Sequence, residues 1–442
     1  MSFPNHFIWG AATSAYQIEG SPLADGAGAS IWHHFCQTPG HIANGESGDI
    51  ACDHYRRYRK DIKLMQDLGL QMYRFSTAWG RIFPNGTGKR NQAGLDHYQR
   101  LVDALLSAGI APMLTLYHWD LPQALQERGG WCNPDSPKWF ADYAATLFET
   151  LDDRVAWWVT LNEPWVVAEG GHRVGELAPG HQQLTEVPWV MHHQLLAHLH
   201  AVAAYRELGK NRIGLAVNLE PQHAYTATAA DQAAAQRRDA YLNRFFLDPL
   251  LLGHYPAELA EIFGDAWPAA LPLAAPSRAV PRLDFLGINY YANAYVRHHP
   301  THFANAEVVP PAANEPQTAM GWRINPEALG ELLHWVKRRY GDLPLIITEN
   351  GSAFADPPLQ NDTIDDTQRQ AYLISHLQAL EEAIAAGINL QGYLAWSLLD
   401  NFEWHHGYSK RFGLIAVDPQ SQQRTLKESA KRYRTIIANR GV

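Results

Sequence analysis

The sequence predicts an α/β protein built as a single (β/α)8 barrel with long loops after its strands. Two observations carry this. Short apolar or β-branched runs recur eight times with helix-like segments between them. Strand–helix alternation of this kind implies parallel strands joined by helical crossovers. The polar residues of these runs gather at their C-terminal ends, and in a barrel those ends share the face that carries active sites. Eight units favour closure over an open doubly wound sheet.

In chain order the runs are FIWGAATSA from Phe7, LQMYRFS from Leu70, IAPMLTLYHW from Ile110 and VAWWVTLNEP from Val155. They continue with RIGLAVNLE from Arg212, DFLGINYY from Asp284, PLIITENG from Pro344 and LQGYLAWSLLD from Leu390. The strand ends place Arg74, His118–Trp119, Asn162–Glu163, Asn289–Tyr291, Glu349–Asn350 and Trp396 toward one face. Between the runs, Tyr98 to Ala108 has apolar residues at helical spacing with Gly109 placed to cap it. Asp366 to Ala386 reads the same way and stops at Gly387. The Ala-rich stretch Thr226 to Gln236 reads as a helix start, and the polar, Pro/Ala-rich stretch His298 to Gln317 as a long surface loop. No linker or composition break divides the chain, so residues 1–442 are expected to form one domain.

Composition narrows the function. With 46% hydrophobic and 18% charged residues, the 442-residue chain has ample material for a core. A net charge of −9 disfavours a phosphate-backbone binder, so no nucleic-acid partner is expected. No apolar run is long enough to cross a bilayer, and MSFPNHFIWG lacks a basic region followed by an apolar one. Cys36, Cys52 and Cys132 are odd in number and form no CxxC pair, which supports neither a disulfide framework nor a cysteine zinc site. A reduced, cytoplasmic protein is expected. Neither GxGxxG nor GxxxxGK[ST] occurs. In MHHQLLAHLH, His192, His193, His198 and His200 do not stand four apart on one helical face, so no metal is expected there. The 15 Trp and 19 Tyr suit either a large core or flat platforms for sugar rings.

Two strand ends carry a glutamate: Thr160-Leu161-Asn162-Glu163-Pro164 and Ile346-Ile347-Thr348-Glu349-Asn350-Gly351. Two carboxyls across a sugar-sized cleft can hydrolyse a glycosidic bond, one donating a proton to the leaving oxygen and the other attacking the anomeric carbon. Around them stands an ordered set of motifs. Phe7-x-Trp9-Gly10-x-Ala12-Thr13-x-x-x-Gln17-x-Glu19-Gly20 is followed by YRFS from Tyr73, TLYHWDLPQAL from Thr115 and TLNEPW from Thr160. INYY from Ile288, ITENG from Ile347, WSLLDNFEW from Trp396 and GYSKRFGL from Gly407 complete it. Nearly end to end, this set resembles the glycoside hydrolase family 1 β-glucosidases, which are retaining enzymes on a (β/α)8 barrel.

The resemblance implies that Glu163 is the general acid/base and Glu349 the nucleophile. It implies that Arg74 and Tyr291 keep Glu349 ionised and oriented. Gln17, His118, Asn162, Glu403 and Trp404 match the family's glycone-binding set, and Trp396 its stacking platform. Trp119 belongs at the pocket wall, and Asn289 lines the pocket or caps a turn. Trp165 and Trp322 match aromatic positions on the aglycone side. Glu169 and His172 depart from the aromatic or apolar residues usual there, which reads as a more polar outer site or as side chains turned to solvent. An ionised Glu403 would repel a phosphorylated sugar, and Lys410 and Arg411 are expected to point away from the pocket. Glu163 is not glutamine, which disfavours the thioglucosidase variant. The implied activity is hydrolysis of terminal β-D-glucosyl residues, with cellobiose, other small β-glucosides and oligosaccharides as partners and no cofactor. The alternatives are a β-galactosidase/β-fucosidase or transglycosylase of the same family, or a non-catalytic sugar-binding relative.

Overall fold

A computed structural model describes residues 2–273, 282–360 and 363–442 of the chain. Eight parallel strands close on one another: β1 (Ile8–Ala12), β2 (Met72–Ser76), β3 (Ala111–Tyr117), β4 (Trp157–Asn162), β5 (Arg212–Asn218), β6 (Phe285–Asn289), β7 (Leu345–Asn350) and β8 (Leu390–Trp396). β1 closes the ring, pairing Ile8 with Gly392 through to Ala12 with Trp396 on one side and Gly10 with Met72 through to Ala12 with Arg74 on the other. Each sequence run contains its strand.

The two-residue period of the strands sorts their side chains. Met72, Met113, Trp157, Phe285, Ile346 and Leu394, one from each of six strands, pack together as the barrel's interior. Their neighbours Tyr73, Leu114, Trp158, Leu286, Ile347 and Tyr393 belong to the second core, between the strands and the helical ring. Arg74 and Thr115 follow Met72 and Met113 by two residues. They therefore emerge on the inner side above that plug, where Arg74 Nε donates to Thr115 Oγ1 at 3.1 Å.

Long helices occupy the crossovers: α1 (His54–Asp67), α2 (Gln92–Ser107), α3 (Ser136–Leu151), α4 (Val187–Leu208), α5 (Ala229–Asp239), α6 (Pro326–Tyr340) and α7 (Thr367–Ala385), with α8 (Glu428–Asn439) after β8. α5 starts where the Ala-rich stretch predicts, with Thr228 capping it through a bond from Asp231 N. The stretch 298–317 departs from the expected loop. Its start completes the strand Ala294–His298, which pairs antiparallel with Ala306–Val309 and parallel with Gln222–Ala224. The reason is local burial: Ala294 and Val296 pack on Ala234 and Ala235 of α5, so this small sheet lies over that helix. No helix among the described residues is long and apolar enough to cross a membrane.

Candidate active site

At the C-terminal ends of the strands a cleft of about 300 Å³ opens, and Glu163 and Glu349 both line it. Glu163 leaves β4 with a left-handed backbone, φ 48°, immediately before Pro164 starts a short helix to Ala168. Its N–H donates to Ala216 O on β5 at 2.8 Å. Glu349 is held within β7, and the chain leaves that strand through Gly351, where a Cβ would overlap the Trp396 carbonyl. Trp119, with φ 77°, and Trp404, with φ 52°, line the cleft in the same left-handed conformation.

The two carboxyls differ in what holds them. Glu349 accepts from Arg74 at Oε1 (2.6 Å) and from the Tyr291 hydroxyl at Oε2 (2.7 Å). Glu163 Oε1 accepts from Asn289 Nδ2 at 2.7 Å. Asn289 is itself aligned by Thr348, whose hydroxyl donates to its Oδ1 at 2.7 Å. Asn162 sits between the two groups. Its Oδ1 accepts from Arg74 (2.6 Å) and Asn289 (3.0 Å), which leaves its Nδ2 to face His118 Nε2 at 3.0 Å. Burial and then the Arg74 charge hold His118 well below the usual imidazole range, so the ring is neutral. With Nε2 accepting, the proton is on Nδ1, which has no partner among the described residues. His118 thus lines the cleft with one ring N–H unpaired among the described residues.

Burial foremost, and then the Glu349 charge, push Glu163 up to about 8. Burial also raises Glu349, but the Arg74 charge and the Tyr291 hydroxyl oppose it. A proton held by the pair therefore rests on Glu163, and the negative charge on Glu349. One carboxylic acid and one oriented carboxylate facing a single cleft can act as proton donor and nucleophile.

The remaining expected residues divide. Trp165, Trp322, Trp396, Glu403 and Trp404 line the cleft with His118, Trp119, Asn289 and Tyr291. The His118 ring stacks on Trp396 at 5.8 Å, and Trp119 lies 4.7 Å from Trp404. Gln17 stands behind the wall. It is fully buried, its Oε1 accepts from Ser14, and its amide donates to Phe402 O and reaches Glu403 at 3.4 Å. Its amide thus lies directly beside the Glu403 carboxyl. Burial and then the Glu349 charge push Glu403 up to about 8. Lys410 points away as expected, donating to Ala319 O at 2.6 Å.

Glu169 and His172 do not line the cleft, and neither is turned to solvent. Glu169 pairs with Arg173 and accepts from the Tyr241 hydroxyl; His172 is buried against Glu186. Both lie on the helical turn Glu169–Val174, from which Glu169 reaches Tyr241 beyond β5 and His172 reaches Glu186. The polar outer rim is supplied instead by Glu176, Asn218, Glu220, Arg238, His405 and His406. Of these, Asn218 and Glu220 close the run that holds β5, Arg238 stands in the last turn of α5, and Glu176, His405 and His406 lie on the segments after β4 and β8.

The chain matches the model of "Glycosyl hydrolase family 1" over residues 1–442. It is 45% identical to "Beta-glucosidase A" of Thermotoga maritima, covering all of this chain and 98% of that protein. It is 44% identical to "1,4-beta-D-glucan glucohydrolase" of Thermotoga neapolitana, covering all of this chain and 99% of the relative. Among solved structures, a Thermotoga maritima family 1 glycoside hydrolase complexed with a cyclophellitol analogue transition state mimic superposes with a TM-score of 0.96 at 44% identity, covering 100% and 99% of the two chains.

Proposed function

The chain belongs to glycosyl hydrolase family 1, and from that premise we propose that it is a retaining, exo-acting β-glucosidase whose 442 residues work as one barrel unit. Its substrates are terminal non-reducing β-D-glucosyl residues of cellobiose and aryl β-glucosides, which suits a place late in cellulose breakdown. Three free cysteines favour the cytoplasm.

One observation carries the mechanism: Glu349 is gripped by Arg74 and Tyr291, whereas Glu163 is held by Asn289 and pushed up to about 8. Glu349 attacks the anomeric carbon while Glu163 donates its proton to the departing glycosidic oxygen. The C–O bond to the aglycone breaks as the bond to Glu349 forms. Esterification removes the Glu349 charge, which lowers the cost of ionising Glu163. Glu163 then takes a proton from water, and the resulting attack on the anomeric carbon frees Glu349. His118 Nδ1–H and Glu403 are placed to meet sugar hydroxyls, and Trp396 to lie against the ring face.

Proton NMR of the first product from an aryl β-glucoside tests this reading. The β-anomer of glucose is expected first. An α-anomer would mean inversion and remove Glu349 from the nucleophile's role.

A further inference from the structure

Away from the cleft floor, the turn Gly130–Cys132 after β3 meets the segment 169–186 after β4. Three side chains with metal-ligating atoms converge there, and a fourth, His181, joins them through Glu186. His172 and His181 each hold Nδ1 against one oxygen of Glu186, at 2.7 and 2.8 Å. The Cys132 thiol is hydrogen-bonded to the same carboxylate. Ligand atoms of Cys132, His172 and Glu186 all lie within 4.8 Å of one another.

The geometry points to a binding site for a borderline-soft divalent cation of the zinc class on Cys132, His172 and Glu186, with His181 as the fourth donor. Sulfur, imidazole nitrogen and carboxylate oxygen are the donors zinc takes, commonly four in a tetrahedron. Around bonds of about 2.0–2.3 Å, tetrahedral ligands stand roughly 3.3–3.8 Å apart. To take the ion, the His172–Glu186 and His181–Glu186 contacts, now 2.7 and 2.8 Å, open by roughly 0.5–1.1 Å. Binding releases the thiol proton to solvent, and the thiolate takes its place on the metal.

The donors are prearranged by the backbone. His181 N donates to Gly171 O at 2.9 Å, and Gln183 N to His172 O at 2.7 Å, so the segment is folded back with its two imidazoles 5.2 Å apart. His172 is 1% exposed, while Glu186 at 27% and His181 at 38% leave a path from solvent. The loop between the two histidines carries Glu176 and Leu177 of the cleft. A bound ion would therefore tie that wall to the turn after β3 without touching either Glu163 or Glu349.

The test uses the full chain stripped by a chelator and titrated with Zn²⁺ and Co²⁺. A single tight site per chain is expected, and the Co²⁺ form should show a thiolate-to-metal charge-transfer band. Cys132→Ser should abolish that band and weaken Zn²⁺ binding at least about tenfold. His181→Ala, at a half-exposed position that keeps the fold safe, should also weaken it. His302→Ala serves as the control, because His299, His302 and Glu307 form a second, more exposed group. No tight binding, a Co²⁺ spectrum without the thiolate band, or a loss that follows His302→Ala would overturn the assignment. The cluster would then be a set of hydrogen bonds satisfied by protons alone.

Discussion

Arg74 grips Asn162 with the same guanidinium that grips Glu349: Nη2 lies 2.6 Å from Asn162 Oδ1 and Nη1 2.6 Å from Glu349 Oε1. A planar fork can serve both at once; an ammonium is a point charge and cannot. Arg74→Lys is therefore expected to lower kcat/KM on the order of 10²–10³-fold. The shorter ammonium draws the opposing charge and its hydrogen bond away from Glu349, which lets burial raise it further. Glu349 must be ionised to react, so the acid limb of the pH–rate profile should move to higher pH. A rate loss with an unmoved acid limb would show that Arg74 positions Glu349 without tuning it.

The asymmetry of the two glutamates predicts opposite rescue chemistry. Glu349→Ala should abolish turnover of every substrate, and azide should restore it with an α-glycosyl azide as product. Glu163→Ala should spare aryl glycosides with good leaving groups, and azide should then yield the β-azide. In the parent enzyme activity should fall as pH rises past about 8, where Glu163 loses its proton. Swapped azide stereochemistry would reverse the two assignments.

Glu403 should discriminate by charge, but in a pH-dependent way. Cellobiose is expected to exceed cellobiose 6′-phosphate in kcat/KM by on the order of a hundredfold or more once Glu403 is ionised. Because Glu403 is pushed up to about 8, the ratio should grow between pH 6 and pH 8. Glu403→Gln should flatten that growth. Comparable kcat/KM for the two sugars at pH 8 would take the role from Glu403.

Asp120 predicts a pH-dependent stability that has nothing to do with turnover. It is 2% exposed, its Oδ1 has no partner among the described residues, and burial followed by the Glu19 charge pushes it up to about 8. A carboxyl raised in the folded state gives stability at low pH that drains away as pH rises toward its folded value. Asp120→Asn keeps the shape without the charge. Its melting temperature should exceed the parent's by more at pH 8 than at pH 5, with a gain on the order of 2–4 kcal/mol at the higher pH. A constant difference across that range would show that Asp120 is not the titrating group.

The barrel was legible because every strand is apolar along its length and polar where it ends, a pattern that survives without any knowledge of contacts. Glu163, Glu349, Arg74 and Tyr291 were legible for the same reason, since strand ends are the residues a barrel brings together. The strand pairing around Ala294–His298 and Ala306–Val309 was not, because its apolar content is a pair of small residues on α5 rather than a periodic run. The states of Gln17 and Glu403 were also hidden. Gln17 is occupied by Ser14 and Phe402, and Glu403 is titrated by Glu349; in both cases the deciding partner includes a residue tens to hundreds of positions away.

Trp119, Glu163 and Trp404 share a backbone twist that suits glycine or asparagine better than the side chains found there. Such a conformation costs of order 1–3 kcal/mol per residue and persists only because its surroundings impose it. Selection acting on heat resistance alone would then act against the glycosidase. A library screened for survival of the fold after heating, with no sugar in the assay, should enrich Glu163→Gly, whereas Trp404, packed on Trp32 and Trp119, should be kept for its core contacts. The same library screened for released glucose should reject Glu163→Gly.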